Sequence, residues 1–556
     1  MILAAFRVSI LLVAAAASSA LAAPVLITNI HGYTLAEGQL RQFDALAFDA
    51  GKVLATGSRG ALSGKFPQAQ NIDGGGSTLL PGLIDAHGHV TALGELATHV
   101  RLFETKSLQE AQAQIKAFAA ANPEQPWIEG GGWNQVNWNL GRFPTAAELD
   151  AAVADRPVVL SRVDGHAVWL NSKALRAAGI DKNSKDPEGG RIERNAQGDA
   201  IGILLDNAQA LIRSVIPAPT DAERRATLTA ALAHMSSVGL TSVGDAGVDA
   251  REVALYRRFA DEGALRVRIY AMILDTGKDF KALSKDGPLI GYGNDHLTVR
   301  AVKLISDGAL GSRGAAMLAP YSDQANQQGL LRMSAAVMEE KIQTALAAGY
   351  QVNVHAIGDA ANRQVLDGFE AAYKAVGGRQ LRNRIEHAQI VAPSDIARFK
   401  QLDLIASMQP THATSDMNMA EDRIGAERLK GAYAWRTFLS QGTLIAGGSD
   451  FPVESDNPFF GLYSAVTRMD HNGKPKGGWH GEQALTLLEA FRAFTLDAAF
   501  AQHQEKSLGT LEPGKWADFI VIDRDLFKIP VSDIWKIKVK QSWVGGTKVF
   551  DASASP

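Results

Sequence analysis

No cysteine occurs anywhere in the 556 residues. That excludes disulfides, thiolate nucleophiles, iron–sulfur clusters and Cys-ligated zinc in one step. Any metal held by this chain is left to histidine, carboxylate or a modified lysine. Charge of one sign is also lacking, since 56 Lys+Arg stand against 59 Asp+Glu for a formal net charge of -3. No broad field exists to gather nucleic acid or anionic lipid, so neither is expected as a partner. Tandem repeats and low-complexity linkers are missing too. The triple glycines at 74–76 and 130–132 lack a following Lys-Ser/Thr or a dinucleotide pattern, and they read as turns rather than phosphate cradles.

What is present suits a large globular chain. Hydrophobic residues make up 46% of the chain and charged residues 21%, enough for one large domain with appendages. The first residues place one cation at Arg7 before an apolar stretch from Val8 to Ala17, then small residues through Ala20 and Ala22. This is the pattern of a signal peptide over 1–22, too short for a spanning helix, with the mature chain expected to begin near Ala23 or Pro24. Export to a bacterial periplasm, with no integral membrane segment in the mature form, is the expectation.

Segments 24–80 and 501–556 carry short alternating runs such as VLITNIHGYTL and ADFIVID, which predict strands of a small β-sandwich shared by the two ends of the chain. Within KIKVKQSWV, Lys536, Lys538 and Lys540 are expected on one solvated face of a strand. Between the ends, over 81–500, apolar runs alternate with helical stretches: PVVLSRV, LTSVGDAG, RVRIYAMIL, VRAVKLISDG, YQVNVHAIGD, NRIEHAQIV, LIASMQPTH and TLIAGGSDFP. Such β-then-α units imply a parallel sheet, and closed into a ring they make a (β/α)8 TIM-type barrel of the α/β class. Residues 100–215, rich in Gly, Asn, Trp and turns, break this rhythm and read in part as an insertion over the barrel mouth.

His87 and His89 lie two apart at the end of the apolar run LLPGLIDAHGH, where strand geometry turns both to one side and allows them to share a cation. Thirteen histidines would give roughly 0.3 such pairs by chance, so the pair gains force only from its setting. His355, His387 and Asp450 close three further apolar runs. Singly, each could cap the next helix; together, four imidazoles and a carboxylate at the C-terminal ends of barrel strands converge on one mouth.

The segments PGLIDAHGHV, DGHAVWLNSKAL, VKLISDGALGSRGAAM, NVHAIGD, RIEHAQ, SMQPTHATSD and AGGSDFPVESDNPFFGL, followed by EPGKWADFIVID, resemble the amidohydrolase superfamily, in the branch that includes N-substituted formamide deformylases. The resemblance spans essentially the whole mature chain. It implies a metal-dependent hydrolase in which His87, His89 and Asp450 bind one metal and His355 and His387 a second. It also implies that Lys303 is carboxylated and bridges two zinc ions. The alternative for Lys303 is an unmodified lysine paired with Asp307.

A divalent cation would lower the pKa of water toward 7 and polarise a carbonyl, leaving Asp450 as proton carrier to the departing nitrogen. Hydrolysis of an N-formyl or N-acyl amide is the leading expectation, with ester, lactone or cyclic amide hydrolysis on the same site as the alternative. Deaminases of this fold carry His-x-x-Glu, whereas His355 is followed by Ala356-Ile357-Gly358. A non-catalytic binding protein should have lost ligands, and none is lost. His166, Arg313, His412 and Trp133 are candidate contacts for a small-molecule substrate. Arg313 could instead anchor its loop, Asp164 could simply cap the turn before His166, and Trp133, Trp138 and Trp169 could wall a pocket or pack a core. A homodimer is what relatives lead one to expect.

Overall fold

The computed structural model describes residues 23–96 and 98–554; the leader expected over 1–22 lies outside them. The dominant element is a ring of parallel strands: β1 (Leu83–Gly88), β2 (Leu240–Val248), β3 (Arg268–Leu274), β4 (Leu297–Ile305), β5 (Gln351–Ala356), β6 (Arg384–His387), β7 (Ile405–Met408) and β8 (Ile445–Gly447). Sequential strands pair in parallel from β1 through β8. Their apolar runs follow from burial on both faces. Val243, Ile269, Val302, Val354 and Ile385 pack outward in the main core, and Ala246, Tyr270, Met272 and Ala301 cluster separately.

Helices return the chain between strands. Residues Asp221–Ser237 show how: Thr220 and Glu223 form a reciprocal capping box, and Leu228, Ala231, Leu232 and Met235 bury one face. Gly239, with φ +90°, then turns the chain into β2, a conformation that favours glycine.

Polar contacts complete the ring between β1 and β8. Gly88 and Phe451 form a single parallel bridge, the Asp450 N–H donates to the His87 carbonyl at 2.7 Å, and the His89 N–H donates to the Phe451 carbonyl at 2.8 Å. The Asp85 carboxylate accepts from the backbone of His87 and from the backbone and hydroxyl of Ser449 at 2.6–3.1 Å. Gly448 permits this approach, because a Cβ there would lie 2.7 Å from the His87 nitrogen. The seam therefore sets the spacing between His87 and Asp450.

One apolar run belongs elsewhere. PVVLSRV supplies Val158–Arg162, a strand of a separate six-stranded sheet with Gly190–Arg194, Ala200–Asp206, Ala167–Leu170, Ile128–Trp133 and Val100–Arg101, while the ring begins with the run before His87. A short buried strand reads alike in either sheet, so periodicity alone did not separate them. The insertion carries its own cores, one with Trp133, Trp138 and Trp169 and another with Val159, Leu170 and Leu204.

The two ends of the chain meet in a seven-stranded sheet, in the order Thr547–Asp551, Val539–Val544, Phe519–Ile522, Gln70–Pro81, Val25–Ala36, Gln39–Asp49 and Lys52–Gly57. Arg268, fully buried at the start of β3, binds Asp518 at 2.6 and 3.0 Å and ties the barrel to this sheet. Lys536, Lys538 and Lys540 are all exposed, with Ile537 and Val539 buried between them, but the expected single strand is corrected. Lys536 ends a 3-10 turn, Val531–Lys536, and strand begins only at Val539, so the three lysines do not share a strand. Asp533 holds Lys536 at 2.7 Å within that turn. Among the described residues no helix is long and apolar enough to cross a membrane.

Candidate metal centre

His87 at the end of β1, His387 at the end of β6 and Asp450 just beyond β8 bring one ligand atom each within 4.8 Å of one another, and all three residues are buried. Two of them sit in the left-handed region, His387 at φ +75° and Asp450 at φ +62°. Such backbone costs about 1–3 kcal/mol per residue and persists only where its surroundings impose it. Here the β1–β8 seam holds Asp450.

Hydrogen bonds fix which ring nitrogens face the cluster. His87 Nδ1 lies 2.6 Å from Glu386 Oε2 and His387 Nδ1 lies 2.8 Å from Gln409 Oε1. Carboxylate and amide oxygens only accept, so each Nδ1 donates and each Nε2 keeps its lone pair for the centre. Burial opposes the Glu386 charge, but Arg384, His87 and Lys303 outweigh it and hold its pKa at about 2. Asp450 Oδ1 stands 3.1 Å from His89 Nε2 and 3.4 Å from His87 Nε2, and Oδ2 stands 3.6 Å from His412 Nε2. Burial works against this carboxylate as well, yet the neighbouring imidazoles of His87, His89 and His387 carry its pKa well below the ordinary range.

The outer part of the cluster is His355, His166 and Lys303. The His355 ring packs 4.6 Å from that of His387 and 5.6 Å from that of His166. Burial drops the His355 pKa to about 4 against the pull of Asp307, which leaves a neutral imidazole. Its Nε2 lies 3.2 Å from Asp307 Oδ1 without the alignment of a hydrogen bond, and the buried His412 Nε2 likewise lacks a bonded partner. Lys303 Nζ lies 3.0 Å from His87 Nε2 in a buried position. Burial pulls its pKa down to about 8 against Glu386 and Asp450, so a fraction is neutral amine near neutral pH. Imidazoles without hydrogen-bond partners, a carboxylate and no thiolate form a donor set that fits a divalent cation.

His87, His89, Lys303, His355, His387 and Asp450 thus share one mouth, joined by His412 and His166. His412 occupies the first turn of helix Pro410–Asp416 rather than a strand end. His166 comes from the insertion, where Asp164 caps its backbone N–H at 3.1 Å and Asp206 binds its Nδ1 at 2.8 Å. Three alternatives left open by the sequence are decided. Lys303 is not paired with Asp307, whose oxygens accept from the backbone of Ala316, Ile357 and Gly358. Arg313 anchors its loop through Asp323 at 2.8 Å. Trp133 has no exposed surface and packs 6.4 and 6.3 Å from Trp138 and Trp169, its N–H spent on the Leu160 carbonyl, so it walls no pocket. Glu386 and Gln409 went unrecognised from sequence; an acid inside the buried four-residue strand RIEH was the available signal for Glu386.

A profile described as "Amidohydrolase family" matches residues 70–550. YtcJ of Bacillus subtilis (strain 168) is 32% identical over 540 residues, covering 94% of this chain and 99% of that protein. The N-substituted formamide deformylase of Arthrobacter pascens is 27% identical over 556 residues, covering 95% and 100%. The crystal structure of an uncharacterized metal-dependent hydrolase from Pyrococcus horikoshii OT3 superposes with a TM-score of 0.75 at 27% identity, covering 92% of this chain and 99% of that one.

Proposed function

The chain belongs to the amidohydrolase family, and from that premise we propose that it is a metal-dependent hydrolase cleaving a carbon–nitrogen amide bond, of the N-formyl or N-acyl type. The observation that carries the reading is the pair of imidazoles whose Nε2 atoms are freed by Glu386 and Gln409 and face Asp450. Likeness to an N-substituted formamide deformylase supports the choice of bond. A divalent cation, in our proposal zinc, would supply Lewis acidity toward the carbonyl and hydroxide from water near neutral pH.

The rest falls to the chain's own groups. Asp450 Oδ1 takes a proton from the attacking water and returns it to the leaving nitrogen, so that the C–N bond breaks to a carboxylic acid and an amine. His89, its side chain 37% exposed, borders the entrance. Lys303, as neutral amine, would add to CO₂ with loss of a proton, and the carbamate's two oxygens and negative charge would offset a pair of cations. The two cations would be held by His87, His89 and Asp450 and by His355 and His387. The compact His87–His387–Asp450 trio cuts across these two sets and favours a second reading, in which a single cation sits among all three.

Metal counted per chain separates the readings, with rates measured on N-formyl, N-acyl, cyclic amide and ester panels. Two equivalents in the wild type, at least one lost in Lys303→Ala, and turnover abolished by chelation are expected. Undiminished hydrolysis by metal-free protein would overturn the mechanism. Export with cleavage near Ala23 belongs to the same proposal, and an intact mass retaining Met1 in exported protein would sink it.

A further inference from the structure

We infer that the acyl half of the substrate is apolar and seats on Leu274, in the space left open by Gly247; the inference rests on the amide-hydrolase reading and deepens it. The β3 residues Tyr270 and Met272 turn into the ring with Ala246 and Ala301, so Leu274, two further on, turns the same way. It is the one exposed residue of a strand otherwise buried, at 46% exposure. A lone exposed leucine on an outer surface means little. This one is the ladder partner of Lys303, and the next N–H, that of Asp275, donates to the Lys303 carbonyl at 2.9 Å.

Gly247 stands beside both residues. At φ +107° it forms the bulge in β2, and a Cβ built on it would lie 3.5 Å from Leu274 Cδ1 and 3.9 Å from Lys303 Cγ. The leucine methyl and the lysine stem therefore border one space, and no side chain of Gly247 fills it. Facing them are groups of a different character. In a ring of eight strands, β3 and β4 stand opposite β7 and β8, and the latter pair is followed by His412 and Asp450.

That opposition orients the substrate. The leaving nitrogen must lie toward Asp450 to receive its proton, which directs the acyl substituent across the centre toward β3 and β4. The surface it meets there is the Leu274 side chain. An alkyl chain laid on it should gain about fourfold in affinity per methylene covered, a uniform binding effect that appears in KM.

The test uses the metal-loaded full chain and p-nitroanilides of formic, acetic, butanoic and hexanoic acids. Wild type should rise in kcat/KM with chain length. Leu274→Ala should lose about tenfold on the hexanoyl compound, carried by KM, and less than twofold on the formyl compound. Ile290→Ala, at a site 62% exposed on the short strand Leu289–Gly291, which pairs antiparallel with β4 outside the eight-stranded ring, should change nothing. Equal chain-length dependence in wild type and Leu274→Ala would overturn the inference. Should wild type cleave none of the four, the amide reading fails, and calorimetry with n-alkyl hydroxamates from C2 to C8 still reads the subsite. A slope in wild type that flattens in Leu274→Ala supports the inference, and slopes alike in both proteins, or binding to neither, defeat it.

Discussion

The barrel and its insertion bury polar groups in opposite ways. In the insertion, each of the three core tryptophans gives its N–H to a backbone carbonyl, Trp133 to Leu160, Trp138 to Thr105 and Trp169 to Thr145, at 2.7–3.1 Å. In the ring, the side chains of Asn353 and Ser407 are buried without bonded partners, and Lys303 lies among imidazoles. Buried polar atoms without partners cost roughly 1–3 kcal/mol each. The insertion is thus packed for stability, while the ring tolerates strain and desolvated charge where its chemistry sits.

The sharpest way to break this contrast is at Asp450. Asp450→Asn keeps size and one ligand oxygen but removes the proton carrier, so kcat should fall about 10²–10⁴-fold with much of the metal retained. Metal content and rate measured on the same preparation check it, and a near-normal rate would leave Asp450 a ligand only. Trp133→Ala should do the reverse, costing about 3–5 kcal/mol of stability as a lower or split thermal transition, with metal per chain unchanged. Loss of metal in that variant would join the two regions that the comparison separates. Glu386→Gln sharpens it further, because weakening the partner of His87 should reduce metal affinity about 10–100-fold, read by competition with a chelator. Unchanged affinity would make Glu386 a partner of Arg384 alone.

Much of the ring was legible because parallel strands buried on both faces write themselves as apolar runs, and because residues at their ends have one place to go. His87, His355, His387 and Asp450 could be assigned to one mouth on that ground. What escaped depends on relations between distant segments. Nothing local in PVVLSRV says which sheet it joins, and nothing near Trp133 says that Trp138 and Trp169 will close over it. Glu386 escaped for another reason: beside His387 in sequence, it points to His87 across the ring, a pairing that only the closed barrel creates.

The seam between β1 and β8 also has a consequence in time. His89 and Asp450 are 361 residues apart, and a ribosome adding 5–20 residues per second needs roughly 20–70 s to make the second after the first. Throughout that interval the growing chain carries an incomplete ligand set and an open ring. A cation that needs groups from both sides of the seam could therefore be held only after the ring has closed, in whichever compartment that closure takes place.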